Sequence, residues 1–465
     1  MVQCLVNPLC LFLMVWGTAT ILYLGGVLTG TFSSPKLLTV GALLLNIGTF
    51  SLGYLTWSLF RDLPPRLTGR AVPIPTGEDT TCPPLTRDRL ARVLRIVLLV
   101  GLVTLGMEFH RLAALASHFH TSWPYLLTHP AVLRARLVQF ISANVFQTSA
   151  TVMLLSLTGS IFSIGFVLLG LFLYLDRTWR KYFYLFAFLF ISLLIGLLHL
   201  SRYEMTTNIL YLVLAYCFLH VQAGSQPVGW AWVPRRGSMD LGSPSAHAAL
   251  VDPRNRPQGL KPILQLLIPI LAITLLFLAI ELLLRKSTAY GHTNRLQGFA
   301  FHLYWYLASP LAAFNDFLST FNGVYGWGQH TFFPIYKWLC RFHLASQTEI
   351  AVYGEMTFLP YLANVYTYLR TFYADFGLLG VALAPYALGW LTAAVQRQAR
   401  RYVHYLNLYV VLLTFILFSF YNYFLMSNQN YLQILFGFLF LRYELKLPPV
   451  SVRCLEPTNG PFDLY

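Results

Sequence analysis

The chain reads VMLLSLTGSIFSIGFVLLGLFLYL from Val152 to Leu175 and DRTWRK from Asp176 to Lys181. The first stretch carries 24 residues and no charge. As a helix it extends about 36 Å at 1.5 Å per residue, enough to cross a hydrocarbon core of about 30 Å. The second stretch follows at once with Arg177, Arg180 and Lys181. Loops on the cytoplasmic side collect arginine and lysine. One segment therefore predicts both a membrane-embedded helical fold and the direction in which the chain crosses.

The rest of the composition agrees. Of 465 residues, 57% are hydrophobic and 11% charged, and the mean hydropathy is +0.59. A soluble surface needs about 25% charge, so several water-facing domains are excluded, along with disorder, collagen and a cytosolic enzyme. Lys+Arg total 32 against 17 Asp+Glu, a net charge of +15. In a soluble protein that excess points to nucleic acid; here it reads as arginine in inside loops, with no nucleic-acid partner. Six cysteines (Cys4, Cys10, Cys82, Cys217, Cys340, Cys454) form no CxxC or Cys/His cluster, so neither a disulfide framework nor a structural zinc site is expected. The first apolar stretch lacks a basic n-region and a small-residue cleavage site, and reads as a retained span.

Ten spans are predicted: Leu9–Leu28, Leu38–Phe60, Val93–Leu112, Val152–Leu175, Phe183–Leu200, Thr206–Val221, Ile263–Leu284, Phe372–Val395, Val403–Phe424 and Tyr431–Tyr443. The amphipathic Leu137–Thr151 reads as lying at the outer interface. With the N-terminus inside, every dense basic cluster falls on one side, in loops 61–92, 177–181, 223–262 and 397–401 and in the tail. An eleventh span would put Arg177, Arg180 and Lys181 outside. Leu63–Pro84 and Gly224–Pro262 are rich in Pro and Gly and read as linkers. The expected organisation is an all-α polytopic bundle over 1–284, a large outer loop over 285–370, and C-terminal spans with an inside tail over 371–465.

The informative residues are charges at the outer face. Arg202 and Glu204 stand at the outer end of the fifth span, Arg295 lies in the outer loop, and Arg370 precedes the eighth span, with Asp375 one turn inside it. An ionisable group near hydrocarbon costs at least about 2.5–3.5 kcal/mol, so it has a partner or a role. Three arginines reaching one leaflet from separate segments suggest an anion site, since the guanidinium fork binds phosphate oxygens bidentately. The bland alternative is that each pairs with Glu204, Asp375 or a lipid headgroup. His118, His120 and His129 lack an accompanying carboxylate or cysteine, so an interfacial cluster is favoured over a metal site. His302 and Tyr304 fall in an aromatic-rich stretch that an interfacial girdle also explains. No outer Asp-x-Asp, Walker or dinucleotide motif occurs.

The segment Asn364-Val365-Tyr366-Thr367-Tyr368-Leu369-Arg370-Thr371-Phe372-Tyr373-Ala374-Asp375-Phe376-Gly377-Leu378-Leu379-Gly380 closely resembles the signature of the Wzy-type oligosaccharide repeat-unit polymerases, the O-antigen polymerases. Leu198–Arg202 is similar to that family's Ser-Arg, and Tyr306–Asn315 to its Tyr-x-x-x-Pro-Leu stretch. The matches keep family order over roughly the second half of the chain. The resemblance implies a bacterial inner-membrane glycosyltransferase of GT-C type, using no cofactor and no metal, in polysaccharide and lipopolysaccharide biosynthesis. It transfers a growing glycan from undecaprenyl diphosphate to a lipid-linked repeat unit at the periplasmic face. Implied partners are undecaprenyl-diphosphate-linked oligosaccharides and membrane lipids, with a chain-length regulator and a flippase. On that reading Arg202, Arg295 and Arg370 bind diphosphate, and Tyr366 and Tyr373 bind phosphate or sugar. The general base falls to Asp375 or Glu355, with His302 and Asp316 behind. Asp375 has holding Arg370 in place as its rival role. Gly377 and Gly380 read as close helix contacts. Two rivals stand beside the polymerase: an O-antigen ligase-like transferase and a non-enzymatic lipid-linked oligosaccharide flippase.

Overall fold

The structure, a computed structural model, describes residues 2–62, 87–129, 132–133, 136, 150–176, 180–199, 202–224, 295–345, 357–359, 361–363, 365–423 and 427–443. The regular elements are helical apart from one small ladder. They are α1 (Val2–Leu5), α2 (Pro8–Leu28), α3 (Leu37–Asp62), α4 (Arg87–His118), α5 (Trp123–Thr128), α6 (Ala150–Leu175), α7 (Arg180–His199), α8 (Arg202–Gly224), α9 (Arg295–Thr320), α10 (Phe333–Arg341), β1 (Thr357–Leu359), β2 (Tyr361–Ala363), α11 (Tyr368–Arg401), a 3-10 turn (Val403–Tyr405), α12 (Leu406–Phe418) and α13 (Asn428–Tyr443). The strands pair antiparallel, Phe358 opposite Leu362. Among the described residues, seven helices are long and apolar enough to cross a membrane: α2, α3, α4, α6, α7, α8 and α11. This is a transmembrane helical protein.

Seven of the ten expected spans fall on these seven helices. The span Ile263–Leu284 lies outside the described residues, as do the linkers 63–84 and 225–262 and most of Leu137–Thr151. Of the remaining two, the first is shorter than expected and the second lies within a helix. Val403–Phe424 contains a helix of only 13 residues, about 20 Å, and Tyr431–Tyr443 lies in one of 16, about 24 Å. The two run antiparallel: the Asn407 side-chain amide donates to Gln433 O, and His404 packs its ring on Phe438. Their connecting turn at Ser419 meets the middle of α2, where Trp16 Nε1 donates to Ser419 Oγ at 2.9 Å. The segment 285–370 also holds more than loop. Its 26-residue α9 buries Trp305, Ala308, Leu311, Ala312, Ala313 and Phe314. At its far end Asn315 Oδ1 accepts from Thr39 Oγ1 and from the Lys36 N–H, fixing α9 to the start of α3.

Between membrane helices lipid is as apolar as leucine, so association depends on close packing and small residues. α3 and α11 meet this way. Gly53 lies against the carbonyl of Tyr386 and Gly389 against that of Phe50, so a side chain at either position would collide with backbone. Trp57 and Trp390 meet edge to face at 4.8 Å, and Tyr54 OH reaches Gln396 Oε1 at 3.1 Å. The pairings 50/389 and 54/396 ascend together, so the two helices run parallel. Phe12 of α2 stacks on Phe50 at 3.7 Å on the other side of α3.

Candidate functional site

α11 is two helices. At Gly377 the backbone adopts φ 60°, ψ −145°, a conformation that side-chain-bearing residues avoid, and the helix breaks there. The short first part, 368–376, begins deep. Tyr368 OH donates to Asn46 Oδ1 at 2.6 Å, and Tyr368 N–H donates to Ser419 O at 2.9 Å. Asn46 stands nine residues after Leu37, so Tyr368 lies about 14 Å along α3 from its N-terminal end. Leu378, just past the break, instead borders a cleft with Leu37, Leu38, Gly41 and Leu45. The chain thus runs from within α3 to its N-terminal end, turns at Gly377 and comes back beside it. Gly380 lies against the carbonyl of Phe372, closing the bend.

Arg370 sits in the first turn of that short helix. Its guanidinium carbon lies 3.9 Å from the ring centroid of Tyr366 and 5.0 Å from that of Phe317. Stacking on two rings holds the planar cation in place, and a guanidinium is the side chain whose shape suits phosphate oxygens. Tyr373 packs on Phe317 and Phe321 at 6.3 and 5.5 Å. Three of the expected residues, Tyr366, Arg370 and Tyr373, therefore gather around Phe317. Thr367, the residue before the helix, is buried, and its hydroxyl has no hydrogen-bond partner among the described residues.

Asp375 is fully buried and holds a loop. His330 N–H donates to Oδ1 at 3.1 Å and Thr331 N–H to Oδ2 at 2.5 Å. Trp327 N–H donates to the Asp375 carbonyl and Gly326 N–H to that of Ala374. A carboxylate engaged by backbone donors on both oxygens is built to anchor; it suits proton abstraction poorly. Gly326 allows the approach, since a Cβ there would sit 2.5 Å from Asp375 Oδ1 and 2.8 Å from the His330 ring. Tyr423 OH closes the far side by donating to Thr331 O at 3.0 Å.

The loop brings in a residue that the sequence reading passed over. His330 is half-buried beside Asp375, and its ring nitrogens carry no hydrogen bond among the described residues. Burial pushes its imidazole below the ordinary histidine value; the Arg370 charge acts in the same direction and the Asp375 charge against it. The lowered value favours the neutral imidazole, the form a general base requires. Three glycines in the preceding stretch Gly323-Val324-Tyr325-Gly326-Trp327-Gly328 were the available signal for a tight, built loop.

The other expected residues are less fully placed. Arg202 opens α8 and Arg295 opens α9, while His302 lies in the second turn of α9; these three are placed by their helices alone. Glu355 lies outside the described residues. Asp316 accepts a hydrogen bond from the Thr357 hydroxyl and so ties β1 to α9. His118 meets Phe119 edge-on and His129 stacks on Tyr125. Among the described residues no three His, Cys, Asp or Glu side chains form a group able to hold a metal. No protein-family model matches the chain, and no curated protein or solved structure matches it at a significant level.

Proposed function

We propose that the chain is a membrane glycosyltransferase of the Wzy type, which lengthens a glycan carried on undecaprenyl diphosphate. The observation that carries this reading is Arg370, a half-buried guanidinium stacked on Tyr366 and Phe317 in the first turn of a helix that starts within the bundle. The positive end of a helix and a fixed cation together favour a phosphate there. Arg202 and Arg295 are the partners proposed from the other segments.

In the reaction the acceptor hydroxyl attacks the anomeric carbon of the donor glycan and the bond to the diphosphate oxygen breaks. His330 takes the hydroxyl proton, and Arg370 stabilises the charge that develops on the leaving diphosphate. Asp375 keeps His330 in position through the backbone of the 326–331 loop. In this proposal His330 takes the role that the sequence offered to Asp375, Glu355 or His302. Because the donor already carries a good leaving group, neither nucleotide nor metal is needed.

The test is a purified preparation given lipid-linked repeat units, without nucleotide or added metal. A ladder of longer glycans is expected, abolished by Arg370→Ala with an unchanged thermal melt. The depth of Tyr368 favours one second reading, a non-enzymatic flippase with its anion site inside the membrane. Transport of the lipid-linked units with no ladder would overturn the transferase in its favour.

A further inference from the structure

Helix α10 exposes a row of apolar side chains beside the site. Phe332, Ile335, Leu339 and Phe342 are exposed, Ile335 by 50% and Phe342 by 62%. At 100° per residue these four fall within about 80° of arc, a single stripe. The opposite face is turned to the protein: Phe333 and Cys340 are buried and Lys337 is half-buried. Tyr336 and Trp338, half-buried, stand on the two shoulders of the stripe, and Trp338 stacks on Phe342 at 6.1 Å. Leu344, Trp327 and Val324 extend the exposed apolar surface on either side.

Nine residues make about 14 Å of helix, too short to cross a bilayer. Its level is nevertheless fixed by a membrane-crossing element. The loop leading into it is hydrogen-bonded to Ala374 and Asp375, close to the break in α11 and to the exposed Leu378 and Leu379 that follow it. Within that loop Gly328 lies against the rings of Phe332, at one end of the stripe, and Phe376, just before the break. Aromatic shoulders around an aliphatic centre are the pattern of a segment lying flat at headgroup depth.

We infer that α10 is an in-plane membrane anchor, its Phe332, Ile335, Leu339 and Phe342 face embedded in the acyl-chain boundary of the outer leaflet. It holds the 326–331 loop at the level of the lipid surface. The inference is independent of the transfer chemistry. It is tested in the full-length protein reconstituted in phosphatidylethanolamine and phosphatidylglycerol vesicles, with photoreactive benzoylphenylalanine placed singly at 332, 335, 339, 342 and, for comparison, at Lys337 and Leu379. Variants that melt with the parent protein are irradiated and scored for phospholipid adducts. Adducts at the four stripe positions comparable to those at Leu379, with few at 337, support the anchor. Equal labelling at 335, 337 and 339 would overturn it. So would adducts to a second copy or another segment of the chain, or adducts that form only with added polyprenyl phosphate.

Discussion

Arg370 and Asp375 are five residues apart and do different work. The first presents charge, whereas the second is consumed in holding backbone. Asp375→Asn keeps the shape but turns one acceptor into a donor facing a backbone N–H. Charge-assisted hydrogen bonds are worth about 1.5–3 kcal/mol each, so a loss of about that size is expected, read as a lower melting temperature with the ladder activity reduced alongside it. His330 gives a pH signature. Its folded-state value lies below the ordinary 6.5 because of burial first, with the Asp375 charge opposing the shift and the Arg370 charge adding to it. As pH falls through 6.5 the unfolded chain takes up this proton before the folded chain does. Stability therefore declines from there to the folded value and is level below it. The acid limb of kcat/KM should also lie below 6.5, and His330→Gln should remove most of the activity together with that limb. An acid limb unchanged in the residual activity of the variant would rule His330 out as the base.

At the scale of elements, the break at Gly377 decides where Arg370 points. A positive φ with ψ near −145° is open almost only to glycine, and a Cβ would also meet the Tyr325 ring at 3.1 Å. Gly377→Ala is expected to cost about 1–3 kcal/mol and to straighten the junction, lowering ladder formation more than the melting temperature alone explains. An unimpaired Gly377→Ala enzyme would separate the break from function. The break was not legible because one glycine in an apolar run reads equally well as a packing contact. The same limit applies to α12 and α13. Hydropathy counts apolar residues and found enough for a span in Val403–Phe424, but Ser419 ends the helix by turning back against Trp16. In α9 the buried positions Trp305, Ala308, Leu311 and Phe314 are interrupted by Ser309, Asn315 and Asp316, so the stretch read as loop. His330 was missed because a base is defined by its neighbours, which come from residues 45 positions away.

For the whole molecule, the seven long helices were legible because each contains an apolar run, although α4 and α11 extend up to six residues beyond the expected spans and α11 breaks inside one. Charge placement then predicts sidedness. A cysteine introduced at Asn322, in the exposed loop after α9, should be labelled in intact cells by an impermeant thiol reagent. One at Arg400, at the basic end of α11, should be labelled only after the membrane is opened. The reverse pattern would invert the orientation and move the candidate site to the wrong compartment for its proposed substrate.

The start of the short helix at Tyr368, about 14 Å along α3 and so near half of a hydrocarbon core of about 30 Å, has an electrical consequence. On the proposed orientation the compartment beyond the basic loops is the negative side of an energised membrane. A diphosphate descending toward Arg370 moves against that field, which weighs about 2.3 kcal/mol per elementary charge per 100 mV for a complete crossing. Over half the thickness, an anion of two charges meets an opposing energy of about that same size, so substrate engagement should tighten when the voltage is collapsed.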